Sequence, residues 1–358
     1  MKVLALVNPG LESLCQQEVH ELVGAASIKY PQAVEFSVKE KEALKVLYHA
    51  QSVRRILIFW GKWKNIEEVT FEKVSWSDFA TPNLSLKVEM ENVKGIENRL
   101  ALAKKVAGKI FFSLDQQKLP LTIDIKKPDI SVVVYWNGTE YFIGVDLSGF
   151  ELHPRDYRVF THSASCKGDL GYFFVRKSGF TPGHSLLIGL VKDGVVAIEA
   201  ALYAYTLPAQ RKKRELYSYS KFPLFHDVVY QNPSPGNPAK TINSFDESQQ
   251  NILAARKNAQ IAGVRELVSI QKMFLDEVSG AFAEKEFDNI IFQITTKDED
   301  KLNEIYHQAV YVLKPKGTLL LIGRKGWEVS ISSKFTLVSE EEIERGGHTY
   351  KMWLLKKK

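Results

Sequence analysis

The chain has 358 residues, enough for two or three domains that each bury a core. A hydrophobic share of 45% and a charged share of 25% exclude a disordered or fibrous protein. The two cysteines, Cys15 and Cys166, are too few for a disulfide scaffold or a thiolate zinc site, and the net charge of +6 permits an anionic partner without requiring one. The apolar start, residues 3–7, stops at Asn8-Pro9-Gly10, which is short for a signal segment and reads as a buried strand. With so few cysteines a reduced, cytoplasmic setting is expected, and no stretch approaches the roughly 20 apolar residues of a membrane helix. Residues 11–23 have helical spacing, 34–37 alternate like a strand, 43–49 are helical and 55–60 alternate again, which predicts a small α+β unit. A second segment follows with a strand at 84–90. An amphipathic helix over 96–112 carries Leu100, Ala103, Val106, Ala107 and Ile110 on one face. Strands at 121–125, 131–136 and 139–145 complete it, the last two joined at Asn137-Gly138.

From about residue 160, strands at 185–190, 241–246, 267–271, 289–292 and 318–323 alternate with helices. That order predicts a doubly wound parallel sheet, closed by an antiparallel pair at 335–338 and 350–355. Residues 205–243 are the least regular, with the charge run Arg211-Lys212-Lys213-Arg214 and a proline-rich loop beginning Asn232-Pro233-Ser234-Pro235. The eight histidines lack ligand spacing, so no metal site is expected.

Cations crowd the region 94–127, where Lys94, Arg99, Lys104, Lys105, Lys109, Lys118, Lys126 and Lys127 face only Glu97, Asp115 and Asp124. Such a surface neutralises phosphates and releases counterions, although a solvated helix face has the same composition. The run Asp146-Leu147-Ser148-Gly149, followed by Leu152-His153-Pro154-Arg155-Asp156-Tyr157-Arg158, resembles the end of the THUMP domain in THUMP-containing RNA methyltransferases. Asp156 stands where that pattern has glycine. Pro9-Gly10-Leu11-Glu12 resembles the family's N-terminal ferredoxin-like domain. Ser178-Gly179-Phe180, Ile198-Glu199-Ala200-Ala201, Ala255-Arg256-Lys257-Asn258-Ala259 and Leu313-Lys314-Pro315-Lys316-Gly317 resemble its methyltransferase domain, in the right order.

The resemblance implies an α/β protein of three domains. These are a ferredoxin-like domain over 1–62, a THUMP domain over 63–158, and a Rossmann-like methyltransferase-type domain over 159–358. It also implies an RNA partner, usually tRNA. The candidate contacts are Arg99, Lys104, Lys105, Lys109, Lys126, Lys127, Arg155 and Arg158, with an ion pair as the competing role for the last two arginines. The implied cofactor is S-adenosylmethionine.

The chemistry of the family is poorly kept. Its first strand of the sheet ends in an Asp-Pro-x-Cys-Gly-Ser-Gly-Thr type loop, whose glycines let the backbone approach the cofactor. Here the matching residues 188–195 keep only Gly194, Ile188 replaces the acid and Lys192 replaces the first glycine. Gly189 is one residue able to restore backbone freedom there. Asp246 keeps the acid that would accept from ribose hydroxyls, or else serves the start of the next helix. The catalytic Asn/Asp-Pro-Pro-Tyr loop is replaced by Gln293-Ile294-Thr295-Thr296, which lacks the prolines and the ring that would hold a flipped base. Asn232-Pro233-Ser234-Pro235 precedes the second strand of the sheet, on the wrong side of the crevice to substitute.

Three readings follow. The first is an RNA-binding, catalytically degenerate methyltransferase homologue. The second is an active S-adenosylmethionine-dependent RNA methyltransferase acting on guanine N2 of tRNA. The third is a scaffold that binds a protein partner.

Overall fold

The computed structural model describes every residue except 213, 233–235, 237–240, 295–297 and 346–347, together with the side chain of His348. Within it the chain forms two compact units, Met1–Leu152 with Gln210–Gln231, and His153–Ala209 with Asn232–Lys358.

The first unit is built on one eight-stranded sheet. Its elements are β1 (Lys2–Val7), α1 (Glu12–Val23), β2 (Ser27–Tyr30), β3 (Ala33–Ser37), α2 (Glu40–His49), β4 (Val53–Trp63), β5 (Ser85–Glu91), α3 (Ile96–Gln116), β6 (Thr122–Ile123), β7 (Ile130–Trp136) and β8 (Tyr141–Asp146). The strand order is β2-β3-β1-β4-β8-β7-β5-β6, antiparallel except where β5 pairs with β6 and β7. The pairing of β4 with β8 places strands from both front segments in a single sheet. Leu4, Leu6, Leu57, Phe59, Val133 and Phe142 form a core on one of its faces. Residues 210–231 return to this unit in short helical turns. The Tyr219 amide donates to the Leu147 carbonyl at 3.0 Å, and the Tyr48 and Tyr219 hydroxyls meet at 2.7 Å.

Two local expectations change here. The strand expected over 121–125 shrinks to the two residues of β6, both exposed at the sheet edge, where they pair with Ser85 and Leu86. The apolar face of α3 splits. Val106 and Ile110 are buried, but Leu100 is 56% exposed, since among the described residues no element covers the first turns of the helix.

The second unit carries α4 (Gly168–Lys177), β9 (Leu186–Gly189), α5 (Val195–Ala204), β10 (Ile242–Asp246), α6 (Gln249–Ile261), β11 (Val268–Lys272), α7 (Val278–Ala281), β12 (Phe287–Gln293), α8 (Glu299–Val312), β13 (Leu313–Arg324), β14 (Phe335–Arg345) and β15 (His348–Lys357). Its seven strands run β11-β10-β9-β12-β13-β15-β14. The first five are parallel and the last two antiparallel, as the sequence predicts. β9 is buried over its whole length, which is why it reads as an unbroken apolar run rather than an alternating one. The order reverses on either side of β9, so the carboxyl ends of β9, β10 and β12 surround the topological switch point where such sheets bind ligands.

Asp288 ties the entries of three of these strands together. Its carboxylate accepts from the Ser185 amide at 2.9 Å, the Ser185 hydroxyl at 2.8 Å and the Lys314 ammonium at 2.7 Å.

Candidate functional site

The switch-point loop begins where β9 ends. Gly189 has ordinary backbone angles, and a Cβ placed there would lie 2.0 Å from the Phe292 ring. This glycine therefore makes room for a neighbouring side chain on β12 rather than for a cofactor. Past it, Leu190 and Lys192 hold φ of 57° and 55°, the left-handed region that favours glycine. The loop thus keeps a glycine-loop backbone at Lys192 without the glycine. Gly194 keeps both conformation and purpose. Its φ is 88°, and an added Cβ would lie 3.0 Å from Cα and Cβ of Ala255 on α6. Asn258, also on α6, braces the loop from behind, its side-chain amide donating to the carbonyls of Asp193 and Phe160 at 2.9 Å each.

Lys192 is only 6% exposed and its side chain turns into the crevice. Its ammonium donates to the Gln293 side-chain carbonyl at 3.1 Å and to the Ala164 backbone carbonyl at 3.0 Å. The two places where the sequence departs from the family are thereby joined, residue 192 of the glycine loop to residue 293 of the catalytic loop. Burial, helped by the Arg324 guanidinium, outweighs the pull of Cys166 and of the Asp193 and Asp246 carboxylates and lowers the ammonium's hold on its proton.

Asp246 is equally engaged. One carboxylate oxygen accepts from the Lys192 amide at 2.9 Å, the other from the Ser248 amide and the Asn251 side chain at 2.9 Å each. Ser248, not Asp246, caps α6, its hydroxyl accepting from the Asn251 amide. The acid fastens the β9 and β10 loops to one another. As arranged, the Lys192 ammonium stands in the crevice beside Gln293 and Asp246 already accepts three hydrogen bonds, so a bound S-adenosylmethionine would compete with these contacts. Thr295 and Thr296 of the catalytic-loop position, and Pro233-Ser234-Pro235, lie outside the described residues. Gln293 and Ile294 stand at the end of β12 as expected.

Beside this closure lies a cavity of about 310 Å³ at the carboxyl ends of β12 and β13, lined among others by Lys192, Gln293, Arg324, Lys325 and Thr349. The sequence reading missed Arg324 and Lys325. The available signal was their position directly after a predicted parallel strand ending at Gly323, where doubly wound sheets place ligand contacts.

The candidate RNA contacts separate into two kinds. Arg99, Lys104, Lys126 and Lys127 are exposed, and none of their side chains forms an ion pair among the described residues. Lys105 binds Glu67 at 2.6 Å, and Lys109 donates to the carbonyls of Glu67 and Val69. Arg155 has its side chain fully buried on Glu199, at 2.8 Å, and the Tyr157 hydroxyl donates to the same carboxylate at 2.7 Å. For Arg155 the ion-pair role holds and a place on an RNA-facing surface does not. Burial, together with that carboxylate, raises the Tyr157 phenol well above its ordinary range. Arg158 reaches Asp193 at 3.7 Å and is largely buried. An apolar groove of about 450 Å³ runs beside Arg99 and Lys104, floored by Ile96, Leu100, Ile123 and Ile125.

Among the described residues no group of three or more His, Cys, Asp or Glu side chains is placed to hold a metal ion, and no helix is long and apolar enough to cross a membrane.

A doubly wound sheet with this strand order, a tight loop after its first strand and an acid after its second defines a methyltransferase-type domain. The chain belongs to the family described as RMKL-like, methyltransferase domain, which matches residues 155–339. Among curated relatives it is 28% identical over 287 residues to the ribosomal RNA large subunit methyltransferase K/L of Photobacterium profundum, and 29% identical over 284 residues to that of Alteromonas mediterranea. The matches cover 75% and 73% of this chain, but the chain spans only 40% of the length of each relative. Among solved structures it resembles TrmN from Thermus thermophilus, with a TM-score of 0.70, 18% identity and coverage of 100% of this chain and 99% of that one. It also resembles SMU.472 complexed with SAH, with a TM-score of 0.75, 16% identity and coverage of 99% and 97%. At these identities the two structures establish the fold.

Proposed function

We propose that this protein is an RNA-binding member of the RNA methyltransferase family whose cofactor crevice is held shut by its own Lys192. The single observation that carries the reading is the Lys192–Gln293 contact, which closes the cofactor loop onto the catalytic loop. The first unit, read as ferredoxin-like and THUMP domains, supplies the RNA surface. Arg99, Lys104, Lys126 and Lys127 face phosphates, and the groove floored by Ile96, Leu100, Ile123 and Ile125 offers an apolar rest for an unpaired base. The partner is proposed to be tRNA and the setting the cytoplasm, both by resemblance.

A second reading, an active S-adenosylmethionine-dependent RNA methyltransferase, is favoured by the names of the curated relatives. In that reading Lys192 would have to leave the crevice when the cofactor enters.

Incubating the protein with labelled S-adenosylmethionine and total tRNA separates the two. The first reading expects tRNA retained on the protein at low salt and no label transferred. Stoichiometric or catalytic transfer of label to RNA would establish the second.

A further inference from the structure

We infer that the cavity at the carboxyl ends of β12 and β13 is a binding site for a phosphomonoester, presented by a mononucleotide or by the phosphorylated end of an RNA. The inference rests on the closed crevice, because closure is what aims the Lys192 ammonium at the cavity.

Three cations, Lys192, Arg324 and Lys325, line this space, and no carboxylate is among its described lining residues. Lys192 gives its hydrogen bonds to two neutral oxygens, and among the described residues no acid lies within ion-pair distance of it. Arg324 likewise has no acidic partner among the described residues, and Lys325 has only a long, exposed contact with Glu342 at 3.7 Å. The nearest acids are committed elsewhere. Asp193 accepts from Ser165 and pairs with Arg158, and Asp246 accepts from backbone amides.

A buried ammonium beside a like-charged guanidinium costs free energy unless an anion enters. That like charge helps to weaken the Lys192 ammonium's hold on its proton, as burial does. The donors match a phosphomonoester, which brings up to two negative charges and three strong acceptor oxygens. A guanidinium fork binds such an oxygen pair in bidentate fashion, and ammonium groups act as point charges. Ser163 and Thr349 also line the space. About 310 Å³ exceeds what a phosphate group needs and falls at the small end of pockets that hold whole ligands, which admits an attached nucleoside.

The test is calorimetric titration of the full chain at low salt with adenosine 5′-monophosphate and with adenosine, repeated on Arg324→Gln. A short oligoribonucleotide is titrated with and without a 5′-phosphate to tell the two sources apart. The monophosphate should bind at least about tenfold more tightly than the nucleoside. Arg324→Gln should cost about tenfold or more, as loss of a charge-assisted hydrogen bond does. Arg324→Lys should recover part of that loss. Arg324 is exposed, so the substitution leaves the fold intact, which circular dichroism checks. Equal affinity for monophosphate and nucleoside, or an Arg324→Gln variant as good as wild type, would overturn the site. S-adenosylmethionine titrated into the same wild-type sample reports on the closure separately, since that reading fails if it binds, whatever Arg324 does.

Discussion

Lys192 occupies a left-handed backbone position at a cost of about 1 kcal/mol, and it buries an ammonium as well. Lys192→Gly removes both burdens and loses up to about 1 kcal/mol to the extra freedom of glycine in the unfolded chain. Thermal unfolding of that variant is therefore expected at or above the wild-type temperature, and a fall of many degrees would mean that its bonds to Ala164 and Gln293 hold the loop together. Gly194→Ala should behave in the opposite way. A φ of 88° and a Cβ 3.0 Å from Ala255 combine strain with overpacking, for an expected loss of about 2–3 kcal/mol in urea unfolding. At the buried pair, Glu199→Gln removes the carboxylate that the Arg155 guanidinium is hydrogen-bonded to and should cost about 3–5 kcal/mol in the same assay. That pairing was open in the sequence. Arg155 lies between Pro154 and Asp156, and nothing in its spacing points 44 residues ahead to Glu199, which looks like one acid on an otherwise apolar helix.

At the scale of elements, the periodicities of the second unit were legible because its central strands β9, β10 and β12 are buried almost throughout and its helices α5, α6 and α8 are long enough to show their repeat. β6 and the first turns of α3 were less so, since apolar spacing reports what a residue is suited to pack against, not whether a partner element covers it. Asp288 shows how the parallel strands are fastened. Burial works to raise its carboxyl, but hydrogen bonds from Lys314 and Ser185 outweigh burial and hold it well below the usual range. A carboxylate lowered in the folded state contributes stability that is fully present above its unfolded value near 3.8 and is lost as pH falls through the folded value. Wild type should therefore lose stability below about pH 4 more steeply than Asp288→Asn, while Asp288→Asn should be the less stable of the two at neutral pH. Parallel acid titrations followed by circular dichroism would show it, and superimposable acid limbs would contradict it.

For the whole molecule, the fold class and the methyltransferase family were readable from short motifs kept in order along the chain, and the departures from the family's pattern from two motifs that were not kept. The sequence could not show that the two departures touch, because Lys192 and Gln293 are 101 residues apart and meet only through the pairing of β9 with β12. Nor could it sort the basic residues into free and tethered. That sorting makes a prediction for RNA binding. Replacing Lys104, Lys126 and Lys127 with Gln should reduce the slope of log affinity against log salt by about 2–3, whereas Lys105→Gln, already tied to Glu67, should change it little. Fluorescence anisotropy with labelled tRNA measures both, and equal effects of the two variants would count against the proposed surface. The account as a whole turns on the Lys192 closure, and its most direct test is calorimetric titration of S-adenosylmethionine into wild type and Lys192→Gly. The closed crevice predicts no submillimolar binding to wild type and measurable binding once the lysine is removed. Submillimolar binding to wild type, lost in Asp246→Ala, would contradict it.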